Sequence, residues 1–308
     1  MNLFVKRRGG RVLEDAHPYP PVAIDMQLPT TLYTFPISMY NLRAEWALEL
    51  AGLPPLHRVC LAPFLHVPVM AVSFALAGVA PRGKDSTSSP FGTPQLIIHA
   101  GRGDAARLLR SGDEIIAWAD GGEAHRVFPP RDAPLPLADA QAEAALCNAL
   151  HDDLGKAVRA WAYTHVAYSL REWVWAFAPN AGPVSAALWV LCTPLILPLM
   201  RSVMGVWDQR RARACAEERI RAVFARVSQR LGARNYLFGD VFGPADLDFA
   251  ALGALAAGLA EEAFRGAARV RPNASFPPGM QAFMAEMRGT RAGQHIAEVL
   301  RKHRTRAA

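Results

Sequence analysis

Ser38 stands between a short apolar run, Leu32 to Phe35, and a stretch with helical periodicity that begins just beyond it. At a strand-to-helix junction a hydroxyl and the unpaired amide hydrogens of the helix start converge, and the helix dipole adds partial positive charge. Together they suit an anion. A serine that merely caps the helix, accepting a backbone N–H, has the same sequence signature, so both readings are open at this stage. Asn41, three residues on, carries no nucleophile. The four cysteines, Cys60, Cys147, Cys192 and Cys215, are far apart and form no CxxC pair. Neither a dithiol redox centre nor a metal site is supported, and reduced thiols are expected. No HExxH, P-loop or GxSxG pattern competes for the chemistry.

The elements that must position Ser38 follow from periodicity. Leu32 to Phe35 has strand character and Pro36 ends it. Leu42, Trp46, Leu50 and Leu53 then recur at helical spacing, and Gly52 with Pro54-Pro55 stops that helix. His57 to Leu61 reads as a second strand, residues 64–78 as a crossover helix with Pro68 in its first turns, and Arg82 to Pro90 as a polar loop. Gln95 to His99 and Ala105 to Leu109 are the next strands, and Asp113 to Ala119 a short helix. The order is β-α-β-α-β-β-α. Residues 121–137 hold four prolines and two glycines and read as a linker between two domains, 31–120 and 138–308. Beyond it helical patterns dominate, clearest in Ala138 to Leu154, Ala212 to Leu231 and Ala245 to Phe264.

At 308 residues, with 51% hydrophobic and 20% charged residues, the chain can build two apolar cores. The net charge of +7 is mainly arginine, but acidic residues are interspersed and no RNA-binding signature or zinc-finger spacing is present. A nucleic-acid partner is not expected. Residues 1–30 read as a polar, proline-bearing N-terminal extension with no apolar run behind its basic residues.

Tyr33-Thr-Phe-Pro-Ile-Ser38-Met-Tyr-Asn41-Leu-Arg43-Ala-Glu-Trp46-Ala-Leu48 resembles the first strand and helix of bacterial glutathione-transferase family proteins, which commonly read FPxSxYCxKARWAL there. Thr93-Pro94-Gln95-Leu96 is similar to the family's proline before its third strand, and Gly112-Asp-Glu-Ile115-Ile-Ala-Trp118 to its Ser-x-x-Ile-x-x-Tyr. Tyr236-Leu237-Phe-Gly239-Asp240-Val-Phe-Gly243-Pro-Ala245-Asp246-Leu resembles YLxGDxFSxADL. The matches run in order from about residue 31 to the C-terminus.

The resemblance implies an α/β thioredoxin-like N-terminal domain followed by an all-helical C-terminal domain, with glutathione as co-substrate. By resemblance Ser38 is the catalytic, sulfur-facing hydroxyl; a thiol near pKa 8.5 must be lowered by roughly one to two units to ionise at neutral pH. Thr93 would pair its backbone with the peptide beside a cis Pro94, and Ser111, Gly112 and Asp113 would hold the γ-glutamyl end. Relatives place an acid followed by serine at that last site; here the pair is Ser111-Gly112. Loss of such a charge-assisted contact costs about 1.5–3 kcal/mol. Asp246 is implied as a structural helix cap without its usual serine, since Gly243 replaces it. Arg43 reads as an exposed helix arginine in preference to a contributor to the local positive potential, and His66, Tyr163 and His165 fall where they could border the cleft.

From Trp173 to Met200 there is no charged residue, yet Pro179, Pro183, Pro194 and Pro198 interrupt the run. The prolines favour a buried core segment or the wall of a hydrophobic ligand site over a membrane helix; peripheral membrane contact through 173–200 is the alternative. The expectation is thus a cytoplasmic, dimeric detoxification enzyme that conjugates glutathione to an apolar electrophile. The rival reading is a non-catalytic binding or scaffold protein on the same fold.

Overall fold

The computed structural model describes residues 29–35, 37–53, 57–60, 66–79, 92–99, 106–121, 127–131, 134–180, 182–265 and 268–304. The N-terminal extension up to residue 28, Pro36, the Pro54-Pro55 stop and the Arg82 to Pro90 loop lie outside the described residues.

Strand β1 (Thr30–Thr34) is followed by α1 (Met39–Leu50), β2 (His57–Cys60), α2 (His66–Leu76), β3 (Gln95–Ile98), β4 (Arg107–Leu109) and α3 (Gly112–Asp120). The sheet order is β2-β1-β3-β4, with β1 parallel to β2 and antiparallel to β3, and β3 antiparallel to β4. β1 is buried on both faces, because its successive side chains enter different cores. Leu32 joins α1 and α3 on one side, whereas Tyr33 meets Met70 and Phe74 of α2 on the other, the Tyr33 and Phe74 rings edge to face at 5.8 Å. This is the expected layered, thioredoxin-like arrangement. α1 ends as its sequence dictates: Gly52 takes φ +68, and the Leu53 amide donates back to Leu48 O at 2.8 Å.

The helical half begins with α4 (Leu137–Ala149), which runs through one wide π turn (Leu150–Gly155) into α5 (Lys156–Val166). α6 (Leu170–Phe177) and α7 (Pro183–Val203) follow, then α8 (Gln209–Leu231) and α9 (Pro244–Gly253). A single turn, α10 (Ala260–Ala263), precedes α11 (Pro278–Gly289) and α12 (Arg291–His303). α9 is shorter than the periodicity of Ala245 to Phe264 predicts. After Gly253 the chain passes through turns to Gly258 at φ +63, a left-handed conformation that ends helical continuity. α9 is buried from Ala245 onward, α1 packs against it, and one apolar core runs through both halves.

The uncharged run corrects its expectation. α7 continues through Pro194 and Pro198, and only 22% of its most apolar stretch is buried. Trp189, Thr193, Ile196 and Met200 face inward, in a cluster with Trp173 and Phe177 of α6. The buried-core half of the expectation fails, because most of this helix forms surface, whereas Trp175, Ala176, Phe177 and Met200 of the run do line a cavity, as the ligand-wall alternative expected.

Candidate functional site

A cavity of about 640 Å³ opens where the two halves meet, and Ser38, Thr93, Pro94, Ser111, Gly112 and Asp113 all line it. The β1–α1, pre-β3 and β4–α3 junctions, far apart in sequence, present these residues because the sheet order sets β1, β3 and β4 side by side.

Ser38 occupies the N-cap position of α1, but its hydroxyl makes no capping hydrogen bond. The first turn closes instead on its carbonyl, which accepts from the Asn41 and Leu42 amides at 3.1 and 2.9 Å. The hydroxyl therefore takes no part in the α1 cap. The Thr93–Pro94 peptide is cis, and the buried Asn41 carboxamide oxygen accepts from the Thr93 hydroxyl at 3.2 Å. Ser111 differs from Ser38: its hydroxyl accepts from the Glu114 amide at 3.1 Å, and the Glu114 carboxylate accepts from Arg110 N at 2.7 Å. Ser111 thus caps α3, and Glu114 reaches back to the residue before the cap rather than to the cap itself.

Arg43 overturns its expectation of an exposed helix arginine. It is 4% exposed and bridges Asp248 of α9 at 2.6 Å and Asp113 at 2.9 Å. His151 Nε2 lies 3.3 Å from the second Asp248 oxygen. Burial works against the charge on Arg43, but Asp248 and Asp113 outweigh it and raise its pKa. Burial pushes the Asp113 carboxyl up, yet Arg43 and then His151 hold it below the ordinary value. Its side chain stays 70% exposed, so an ionised carboxylate is presented at the cavity rim. Asp113 thus places a negative charge two residues beyond Ser111, where the resemblance showed an acid missing.

Tyr40 also faces the cavity, donating to His151 O at 3.1 Å; a Cβ on Gly155 would collide with its ring, so the π turn at glycine makes room for it. His66 and Tyr163 line the cavity, with Tyr163 pushed up to about 12 by burial. His165 does not; its ring packs on Trp161 at 5.4 Å. Sequence reasoning missed Arg110, His151, Arg159, Trp175 and Phe276 on the cavity wall. No spacing motif links them, since tertiary packing alone brings them together. Away from Ser38 the wall is mostly apolar, from α5, α6, the end of α7 and the 270–280 segment.

Asp246 sits apart from the cavity, fully buried. Its carboxylate accepts from Gly243 N at 3.0 Å and Leu237 N at 2.9 Å and contacts His295 Nε2 at 2.8 Å. Gly243 returns no side-chain bond, so the cap is one-sided.

No family model and no curated protein sequence matches this chain. Among solved structures, it is similar to a glutathione transferase family member from Pseudomonas fluorescens pf-5 with two glutathione bound. The identity is 14%, the coverage 91% of this chain and 92% of that one, and the TM-score 0.50. The chain has the glutathione transferase fold. The glutathione transferases URE2P5 and URE2P8 from Phanerochaete chrysosporium, the second with oxidized glutathione, also align, at 14% and 13% identity and TM-scores of 0.47 and 0.46. These alignments cover 90% and 92% of this chain and 95% and 100% of theirs. Within the glutathione transferase fold, the cavity lies between the sheet and the helical half, with a polar floor at Ser38 and an apolar wall opposite.

Proposed function

We propose that this chain binds glutathione in the cavity at Ser38 and transfers it to an apolar, electrophilic small molecule. One observation carries the reading: the uncapped Ser38 hydroxyl shares a single cavity with Thr93, Pro94, Ser111, Gly112 and Asp113. Glutathione carries two carboxylates, one amine and a thiol. Arg110 and Arg159 on the wall suit the carboxylates, and the Asp113 carboxylate suits the amine. The thiol gives its proton to solvent, and the Ser38 hydroxyl donates to the resulting thiolate. That sulfur forms a bond to an electrophilic carbon of an acceptor held against Tyr163, Trp175 and Phe276, and the leaving group departs with its electron pair.

Conjugation of glutathione to an aryl halide by purified protein tests the proposal. Ser38→Ala is expected to lower kcat/KM at least about tenfold and to move the alkaline shift of its pH profile up by about one unit. Unchanged kinetics in that variant would remove Ser38 from the mechanism.

A second reading, binding without catalysis, is favoured by Ser111, whose hydroxyl is engaged as the α3 cap. Calorimetry separates the two. Heat of glutathione binding with no conjugation of any acceptor supports the binding protein; no heat at millimolar glutathione removes both.

A further inference from the structure

α7 is the one described helix long and apolar enough to cross a membrane. Its outer face is an unbroken row of Val184, Leu188, Leu191, Leu195, Leu199 and Val203, with Leu191 75% and Leu195 80% exposed. A helix that is apolar all round is normally covered on every side. This one is covered on one stripe only, and the area left open exceeds the singly scattered apolar residues of an ordinary surface.

We propose that the outer face of α7 docks on an anionic lipid bilayer, lying in the plane of the interface. Charge complementarity selects the occupant. Of the seven cations from Lys156 to Arg213, Lys156 is paired with Asp152 and Arg213 with Glu217, which leaves five, Arg159, Arg171, Arg201, Arg210 and Arg211, against Glu172 and Asp208. At the C-terminal end of α7, Arg219 lines a recess of about 270 Å³ together with the Val203–Val206 turn and Lys156, which is paired with Asp152. Cations beside an apolar face attract lipid phosphates, each contributing appreciably near a charged surface. Trp207, 59% exposed, lies just past the helix end, where an indole favours the headgroup layer. A second protein fits less well. Among the exposed α7 positions after Gly182 only Ser202 carries a hydrogen-bonding group, whereas protein interfaces carry about one hydrogen bond per 100–200 Å².

The ends of α7 set its orientation. Near its start, Asn180 exchanges two hydrogen bonds with Arg269 across its backbone, at 2.9 and 2.6 Å. Toward its end Arg201 donates to Ala167 O at 2.9 Å, and Tyr168 donates to Trp207 O at 2.7 Å. Between these ties the inner stripe stacks on α6, Trp189 against Trp173 at 5.0 Å. A spanning arrangement would strip that stripe from its partners, so an in-plane position is the one that keeps both faces covered.

Flotation of the full chain with vesicles of phosphatidylglycerol and phosphatidylcholine in equal parts tests this, against vesicles of phosphatidylcholine alone. The protein is expected to float with the anionic vesicles and to be released as salt rises. Leu191→Glu with Leu195→Glu, at exposed positions, is expected to keep the wild-type circular dichroism and melting curve and to lose about 100-fold in partitioning. Arg219→Ala is expected to lose about fivefold. Wild-type protein that stays in the unbound fraction at low salt overturns the proposal, as does equal flotation with neutral vesicles or undiminished flotation of the double glutamate variant. A dimer in lipid-free buffer that the same variant splits into monomers would make this face a protein interface and overturn it too.

Discussion

α7 and α8 are neighbours in sequence and nearly equal in length, at 21 and 23 residues, yet they treat their outer faces in opposite ways. α8 buries Ala216, Ile220, Val223, Phe224, Val227 and Leu231 and sets arginine and glutamate outside, with Arg221 on Glu286 and Arg226 on Asp153. α7 buries a comparable stripe and sets leucine and valine outside. Both backbones are continuous helices, α7 even through Pro194 and Pro198, so helix formation says nothing about surroundings. The outer face does: charges there report water, and a continuous apolar row reports a different medium. The inner faces differ as well, because α8 feeds the core shared by both halves and α7 a small cluster with α6.

The largest effect is expected inside α8. Phe224 is fully buried, edge to face with Phe249 at 5.2 Å. Phe224→Ala should cost about 3–5 kcal/mol by urea denaturation, because the close-packed shared core collapses poorly around a cavity. Leu195→Ala on the outside of α7 should change stability by no more than about 0.5 kcal/mol. Equal losses would mean that the two outer and inner faces have been assigned wrongly.

A second test sharpens the contrast between the cores. Trp189 stacks on Trp173 and meets Phe177 at 4.8 Å. Trp189→Ala should cost about 3 kcal/mol, the bottom of the range for an aromatic truncation, since the smaller cluster has room to relax. Hydrogen exchange should show the loss confined to α6 and α7, with α8 and α9 amides unchanged. Loss of protection throughout the chain would show that α6 and α7 unfold with the shared core.

Much of the fold was legible before any coordinates, and the exceptions have physical reasons. The succession of strands and helices along the chain, the α1 stripe and the stop at Gly52 are local patterns, and locality is what a sequence displays. Arg43 was misread because its partners Asp113 and Asp248 lie 70 and 205 residues away, and only packing of α1 against α3 and α9 makes it buried. Ser38 was legible as a position but not as a role, because capping and anion binding demand the same residue. The outer face of α7 was hidden for the converse reason. An uncharged run looks the same whether protein or another medium covers it, and its prolines read as interruptions although the helix passes through them.

The seam between α5 and α8 makes a pH-dependent prediction. His165 is lowered to about 4, first by burial and then by the nearby Arg213 cation. Its folded value lies below that of the unfolded chain near 6.5, so the unfolded state binds the extra proton between those limits. Stability from this group is complete above about pH 6.5 and is lost as pH falls toward about 4, at most about 3 kcal/mol. His165→Gln should flatten the melting-temperature profile in that window, and an unchanged slope would assign the acid sensitivity to another group.

The smallest effect belongs to the charged outer face of α8. Arg221 donates to both oxygens of Glu286, at 2.6 and 2.8 Å, and the two side chains are about equally exposed, at 45% and 46%. The bidentate geometry is good, but water and salt screen an exposed pair and ordering two long side chains offsets much of the attraction. Glu286→Gln should therefore cost about 0.2–1 kcal/mol at low salt and close to nothing in 1 M salt. Phe224→Ala should show no such salt dependence, because it removes packing rather than charge. If the glutamine variant lost several kcal/mol at every salt concentration, the outside of α8 would be contributing like an interior, and the contrast with α7 would no longer be one of surface against surface.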